Sequence, residues 1–147
     1  MRNLLLLASA CLAAGCTTGD TGDRADMEAE DEASLAFQLR GYEPAGPPVQ
    51  CVNTRDLQGN RSAGESAIVF SGVGGRKWVN RPPAGCPDLG SHRALHTRTA
   101  GTRLCRGDIA TVFDPVARIE YGGCGLGDFE PYRRVRRAPN TGWHPSG

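Results

Sequence analysis

Cysteine supplies most of the chemistry that this 147-residue sequence offers. Cys51, Cys86, Cys105 and Cys124 follow one another at separations of 35, 19 and 19 residues. A structural zinc site draws on thiolates in close pairs, typically about two to four residues apart, and no such pair exists among these four. An even count in a small chain points instead to oxidation into two disulfides, and hence to an oxidising compartment. The expected pairing is nested, Cys51 with Cys124 and Cys86 with Cys105, which would tie the first strand to the last. Spacing alone leaves the other connectivities open.

The remaining candidates for chemistry are thin. His92 and His96 stand four apart and could share a face, but a metal site needs a third ligand and His144 lies far along the chain. Gly72-Val73-Gly74-Gly75-Arg76-Lys77 has the glycines of a phosphate cradle without the Gly-Lys-Ser/Thr end, and it opens a strand, so it reads as a turn. Arg106-Gly107-Asp108 also reads as a turn. No Gly-x-Ser-x-Gly is present, and the acids Asp56, Asp108 and Asp128 have no partner that the sequence identifies. We therefore expect no enzyme, no cofactor and no resident metal. The alternative is an enzyme or enzyme inhibitor whose site is assembled from distant residues such as Arg55, Asp56 and Asp108. The sharpest charge cluster is Arg133-Arg134-Val135-Arg136-Arg137, suited to anionic headgroups or another polyanion if it is more than a solvated tail.

The elements that must carry these residues begin with an export signal. Arg2 is followed by the apolar run from Leu4 to Ala14, too short for a permanent bilayer span, so residues 1–15 read as a signal peptide. Leu12-Ala13-Ala14-Gly15-Cys16 resembles the lipobox of bacterial lipoproteins, although Ala13 stands where a branched apolar residue is preferred. The resemblance implies cleavage before Cys16, acylation of that cysteine, and anchoring through more than one acyl chain. Thr17 in place of Asp suggests, by the same likeness, the periplasmic face of the outer membrane.

Beyond Cys16 the charges segregate. Residues 17–34 hold seven acids against Arg24 alone, whereas residues 35–147 hold 15 basic and 9 acidic side chains. The acidic stretch has little to bury, so residues 16–44 read as a disordered, extended tether, with a helix over 25–39 as a minor state. Lys77 is the only lysine. Such arginine bias is no nucleic-acid footprint, and none is expected as a partner. Residues 45–132 form the domain, and residues 133–147 a basic, Pro/Gly-rich tail. Within the domain, 49–57, 67–70, 77–80, 93–99, 109–113 and 118–121 read as strands, with a hairpin turn at Gly74-Gly75, and no segment sustains a helical period. The fold expected is all-β, a small antiparallel barrel or curled sheet of five to six short strands stapled by disulfides.

Cys51-Val52-Asn53, Ile68-Val69-Phe70, Val79-Asn80-Arg81, Cys86-Pro87, Leu104-Cys105-Arg106-Gly107-Asp108 and Cys124-Gly125-Leu126-Gly127 resemble a family of small exported proteobacterial proteins and lipoproteins of unknown function. The likeness covers about residues 49–132 and is weakest over 90–103. It implies the domain limits and four structural cysteines, and no activity. The expectation is a lipid-anchored envelope protein acting as a non-enzymatic binding or structural module, held to the membrane by its acyl chains, with an envelope protein or a polyanion as partner.

Overall fold

The computed structural model describes residues 20–90, 93–99 and 101–136. It is mostly β, with antiparallel sheets, one α-helix and two disulfides. The helix, α1, spans Asp20–Gln38. The strands are β1 Tyr42–Pro44, β2 Cys51–Asn53, β3 Leu57–Ala63, β4 Ala67–Gly72, β5 Arg76–Asn80, β6 Ala94–Thr97, β7 Arg103–Cys105, β8 Ile109–Asp114, β9 Ile119–Gly125 and β10 Phe129–Arg134. They form a five-stranded sheet in the order β1-β10-β5-β4-β3, a two-stranded β2-β7 ribbon and a three-stranded β6-β8-β9 sheet. Two expectations are thereby corrected: the described strands number ten and not five to six, and they close no barrel.

The central hairpin follows directly from its residues. Ala67-Ile68-Val69-Phe70 is apolar on both faces because both faces are covered. Ile68, Phe70, Trp78 and Phe129 pack with Val52, Leu95, Leu104 and Val112 from the two smaller sheets and Leu126 from the β9–β10 loop, forming the main core. Val69 and Val79 point the other way, with Ala63 and Ala67, against Leu35 of α1. Burying one leucine or valine contributes roughly 1.5–3 kcal/mol, so the second layer holds the helix modestly but specifically.

That helix corrects the tether reading. Ala, Glu, Met and Leu favour a helix, and acids in its first turns complement the positive end of the helix dipole. Alone such a helix is marginal in water; docking supplies what propensity lacks. Leu35 is only 3% exposed. The Asp31 carboxylate accepts hydrogen bonds from the Glu65 and Ser66 amides, each at 3.0 Å. Asp31 sits where a Cβ on Gly64 would lie, and Gly64 has φ +65°, so only glycine serves that turn. Gln38 Nε2 donates to the Ser62 carbonyl at 2.7 Å. Lys77 Nζ donates to the Gln38 carbonyl and lies 4.2 Å from the Tyr42 ring centroid. The helix has no basic residue in its last turn, so the lone lysine caps it from the neighbouring sheet. Gly41, at φ +78°, turns the chain from the helix end into β1. The folded body thus begins well before residue 45.

The nested disulfide pairing is also corrected. The bridges are Cys51–Cys105 and Cys86–Cys124. β2 pairs with β7 so that Cys51 and Cys105 stand directly opposite, Cα atoms 4.0 Å apart. The buried Cys86 reaches Cys124 on β9 from a proline-rich turn, tying the main sheet's loop to the three-stranded sheet. Loop-closure entropy varies only logarithmically with length, so about 4 kcal/mol would come from either loop, and energy alone does not select a pairing. Strand register does.

Cys16 and the signal segment lie outside the described residues, as do His92, Arg137, Trp143 and His144. No described helix is long and apolar enough to cross a membrane.

Candidate functional site

β10 lies between β1 and β5, and its register assembles the largest concavity on the molecule's surface among those described. Tyr42 stands opposite Arg134 and Glu43 opposite Arg133 on one side; Arg76 stands opposite Arg133 on the other. Strand alternation sends Arg133 and Arg134 to opposite faces of the sheet. Arg40 arrives from the turn after α1, and Arg136 lies just past the end of β10. Together with Gly74 of the β4–β5 turn, these residues line an open cleft of about 1140 Å³ that holds five arginines and no carboxylate in its lining.

The charges there are largely uncompensated. Arg133 Nε meets Glu43 Oε1 at 2.9 Å, but both side chains are well exposed, so the pair contributes little. Arg134 donates to the Tyr42 hydroxyl at 3.5 Å and lies 5.6 Å from that ring's centroid. That hydrogen bond, then the charge interaction with the same phenol, raise the Arg134 guanidinium above its ordinary range. Arg40 stacks over Phe37 at 4.8 Å. Among the described residues no ion pair engages Arg40, Arg76, Arg134 or Arg136. Elsewhere on the surface some arginines are paired and some are not: Arg81 lies between Glu32 and Glu130, at 3.6 and 3.7 Å, and Arg106 is 3.4 Å from Asp128, whereas no ion pair among the described residues engages Arg55 or Arg61. Guanidiniums carry planar donor forks that match carboxylates and phosphates, so the chemistry of this lining suits anions.

The other candidate residues fall into structural roles. Asp108 Oδ2 accepts from the Cys105 amide at 2.7 Å, closing the Arg106-Gly107-Asp108 turn. Arg55 is exposed in a short 3-10 turn with Asp56, and no hydrogen bond or ion pair among the described residues joins either to Asp108. Gly72–Lys77 is the hairpin turn. His96 packs edge-on against Phe113, centroids 6.5 Å apart. No group of three or more His, Cys, Asp or Glu side chains suited to a metal occurs among the described residues. A second concavity of about 580 Å³ between α1, β3 and β6 mixes Asp31, Arg61 and Arg93 with Phe37 and Leu95, and among the described residues it pairs no nucleophile with a base.

Sequence reasoning found Arg133, Arg134 and Arg136 as a run but assigned them to a tail, and it missed Arg40, Arg76 and Tyr42. The available signal was the strand-like Phe129-Glu130-Pro131-Tyr132, obscured by its proline. Pro131 faces Trp78 across the ladder, and its carbonyl accepts from the Ala45 amide at 2.8 Å.

No family model, no curated protein and no solved structure matches the chain.

Proposed function

We propose that this protein is a lipid-anchored, non-enzymatic binding module of the cell envelope that engages an anionic partner through the arginine cleft. The observation that carries this reading is the cleft's charge: five arginines line one open concavity at the end of the sheet, and the one carboxylate paired with any of them among the described residues, Glu43, meets only Arg133. A folded protein keeps so many like charges together at some cost in self-repulsion, and bound anions relieve it. The anchor rests on the n-region, the short apolar run and the lipobox-like Leu12–Cys16 segment. The two disulfides fit an oxidising compartment. The periplasmic face of the outer membrane is the location suggested by Thr17 after the lipobox-like segment.

Two measurements test the reading. Palmitate labelling in cells should mark the wild-type protein and be lost in Cys16→Ala. The purified protein should bind a synthetic polyanion with an affinity that falls steeply with added salt, as screening requires. A polyanion affinity that is absent at low salt, or indifferent to salt, would contradict the proposed site.

A further inference from the structure

We infer that the cleft's partner is a hydrated anionic polymer standing beyond the anchoring membrane, and not the anchoring bilayer itself. This rests on the reading of an anchored module with an anion-binding cleft. The 19 residues of α1, at the helical rise, separate the chain's anchor-side end from the cleft by about 28 Å. Asp20 is the first residue of that helix, and Arg40 and Tyr42, just past its end, line the cleft.

The helix is no loose spacer. Leu35 is buried, Asp31 holds the Gly64 turn, Gln38 reaches Ser62, and Lys77 holds the Gln38 carbonyl at the helix end. The sheet repeats the polarity. Asp31 meets the β3–β4 turn at one end of β4, while the β4–β5 turn carrying Gly74 lies in the cleft at the other. Helix and cleft therefore form one packed body, with the anchor-side end of α1 and the arginines at opposite poles.

Electrostatics opposes the obvious escape, in which the domain tips over to press its arginines on the lipid. Tipping would lay α1 along the surface, and residues 22–30 are all exposed. They carry Asp23, Asp26, Glu28 and Glu30 against Arg24 alone. An anionic bilayer repels that face. Upright, the arginines stand more than three screening lengths away, each about 8 Å at physiological salt, so the bilayer's attraction has decayed to a few per cent.

The arrangement of the guanidiniums specifies the ligand further. Arg76 and Arg133 project to one face of the sheet end and Arg134 to the other, with Arg40 and Arg136 flanking. A single phosphate cannot span both faces. A chain of repeated carboxylates or phosphates can, and guanidinium forks accept either group.

The test uses the lipidated protein reconstituted into vesicles, in zwitterionic lipid alone or with phosphatidylglycerol added, at about 0.15 M salt. An arginine-selective dicarbonyl reagent followed by peptide mapping reports the reactivity of Arg76 and Arg133. Phosphatidylglycerol should leave both rates unchanged within about twofold, whereas polyglutamate or polyphosphate should slow them about tenfold. Protection by one polymer and not the other identifies the anionic group. Protection by phosphatidylglycerol alone would overturn the inference and make the bilayer the ligand, leaving the anion-binding cleft intact. No protection by polymer or lipid would overturn the cleft reading itself.

Discussion

Arg133 of β10 stands directly opposite Arg76 of β5, two guanidinium-bearing side chains at the same rung of an antiparallel ladder. Cross-strand neighbours of like charge are destabilising, by a few tenths of a kilocalorie when exposed. Glu43 offsets one of the pair from the other side, through its contact with Arg133, and leaves Arg76 without an ion pair among the described residues. Ion pairs form elsewhere on the surface at Arg81, Arg93 and Arg106, all three in the segments between strands.

Asn80 should prove the most sensitive polar residue in the core. It is fully buried; its Nδ2 donates to the Gly127 carbonyl at 2.7 Å, and its Oδ1 accepts from the Gly127 amide at 2.9 Å. The side chain thus replaces a missing strand partner, joining the end of β5 to the loop before β10. Asn80→Ala should cost about 2–4 kcal/mol, since both Gly127 groups lose their partner in a buried place. Urea denaturation measures it, and a loss below about 1 kcal/mol would mean that water replaces the amide.

The two bridges should differ in how readily they open. Cys86 and Cys124 are buried in the main core, whereas Cys51 and Cys105 are only half-buried. Thiolate attack needs access to sulfur, so limiting reductant should open Cys51–Cys105 first. Alkylation and mass mapping of partly reduced protein would show this, and non-reducing maps should contain 51–105 and 86–124 peptides. Recovery of 51–124 and 86–105 peptides would contradict the strand register.

The helix should detach before the sheets unfold. Leu35→Ala removes its one deeply buried side chain and should cost about 2–3 kcal/mol. The variant should lose helical ellipticity and become open to proteolysis between residues 20 and 40 while both disulfides persist. Uniform loss of helix and sheet signal in one transition would instead make α1 part of a single cooperative unit.

Anion binding should be insensitive to alkaline pH. The hydrogen bond from Arg134 to Tyr42 raises the guanidinium further, and a base whose pKa is raised stays protonated below the raised value. With arginines as the cleft's cations, polyphosphate affinity should hold from about pH 7 to pH 10. A tenfold fall over that range, measured by titration, would contradict a site whose affinity comes from arginines alone.

Much of the sheet architecture was legible where burial is two-sided. Ala67–Phe70 and Lys77–Asn80 around Gly74-Gly75 declare a covered hairpin, and Ile109–Phe113 declares β8. β3 was not legible, because Leu57-Gln58-Gly59-Asn60-Arg61-Ser62-Ala63 is an edge strand whose only buried residue is Ala63. α1 was hidden by its own acids: among its described side chains only Leu35 is buried, and its order comes from contacts with the Gly64 turn, Ser62 and Lys77 that no local pattern encodes. The site divides in the same way. Arg133, Arg134 and Arg136 are visible as a run, but only the β10–β5 register and the α1–β1 turn add Arg76 and Arg40.

The most direct test of the anion-receptor account is Arg76→Gln, read for stability and binding together. Arg76 is exposed, makes no ion pair among the described residues and faces Arg133. Relieving that repulsion should leave urea stability unchanged or raise it by about 0.2–0.5 kcal/mol, while polyanion affinity falls about tenfold. Lower stability with undiminished affinity would contradict the account, since Arg76 would then serve the fold and not the cleft.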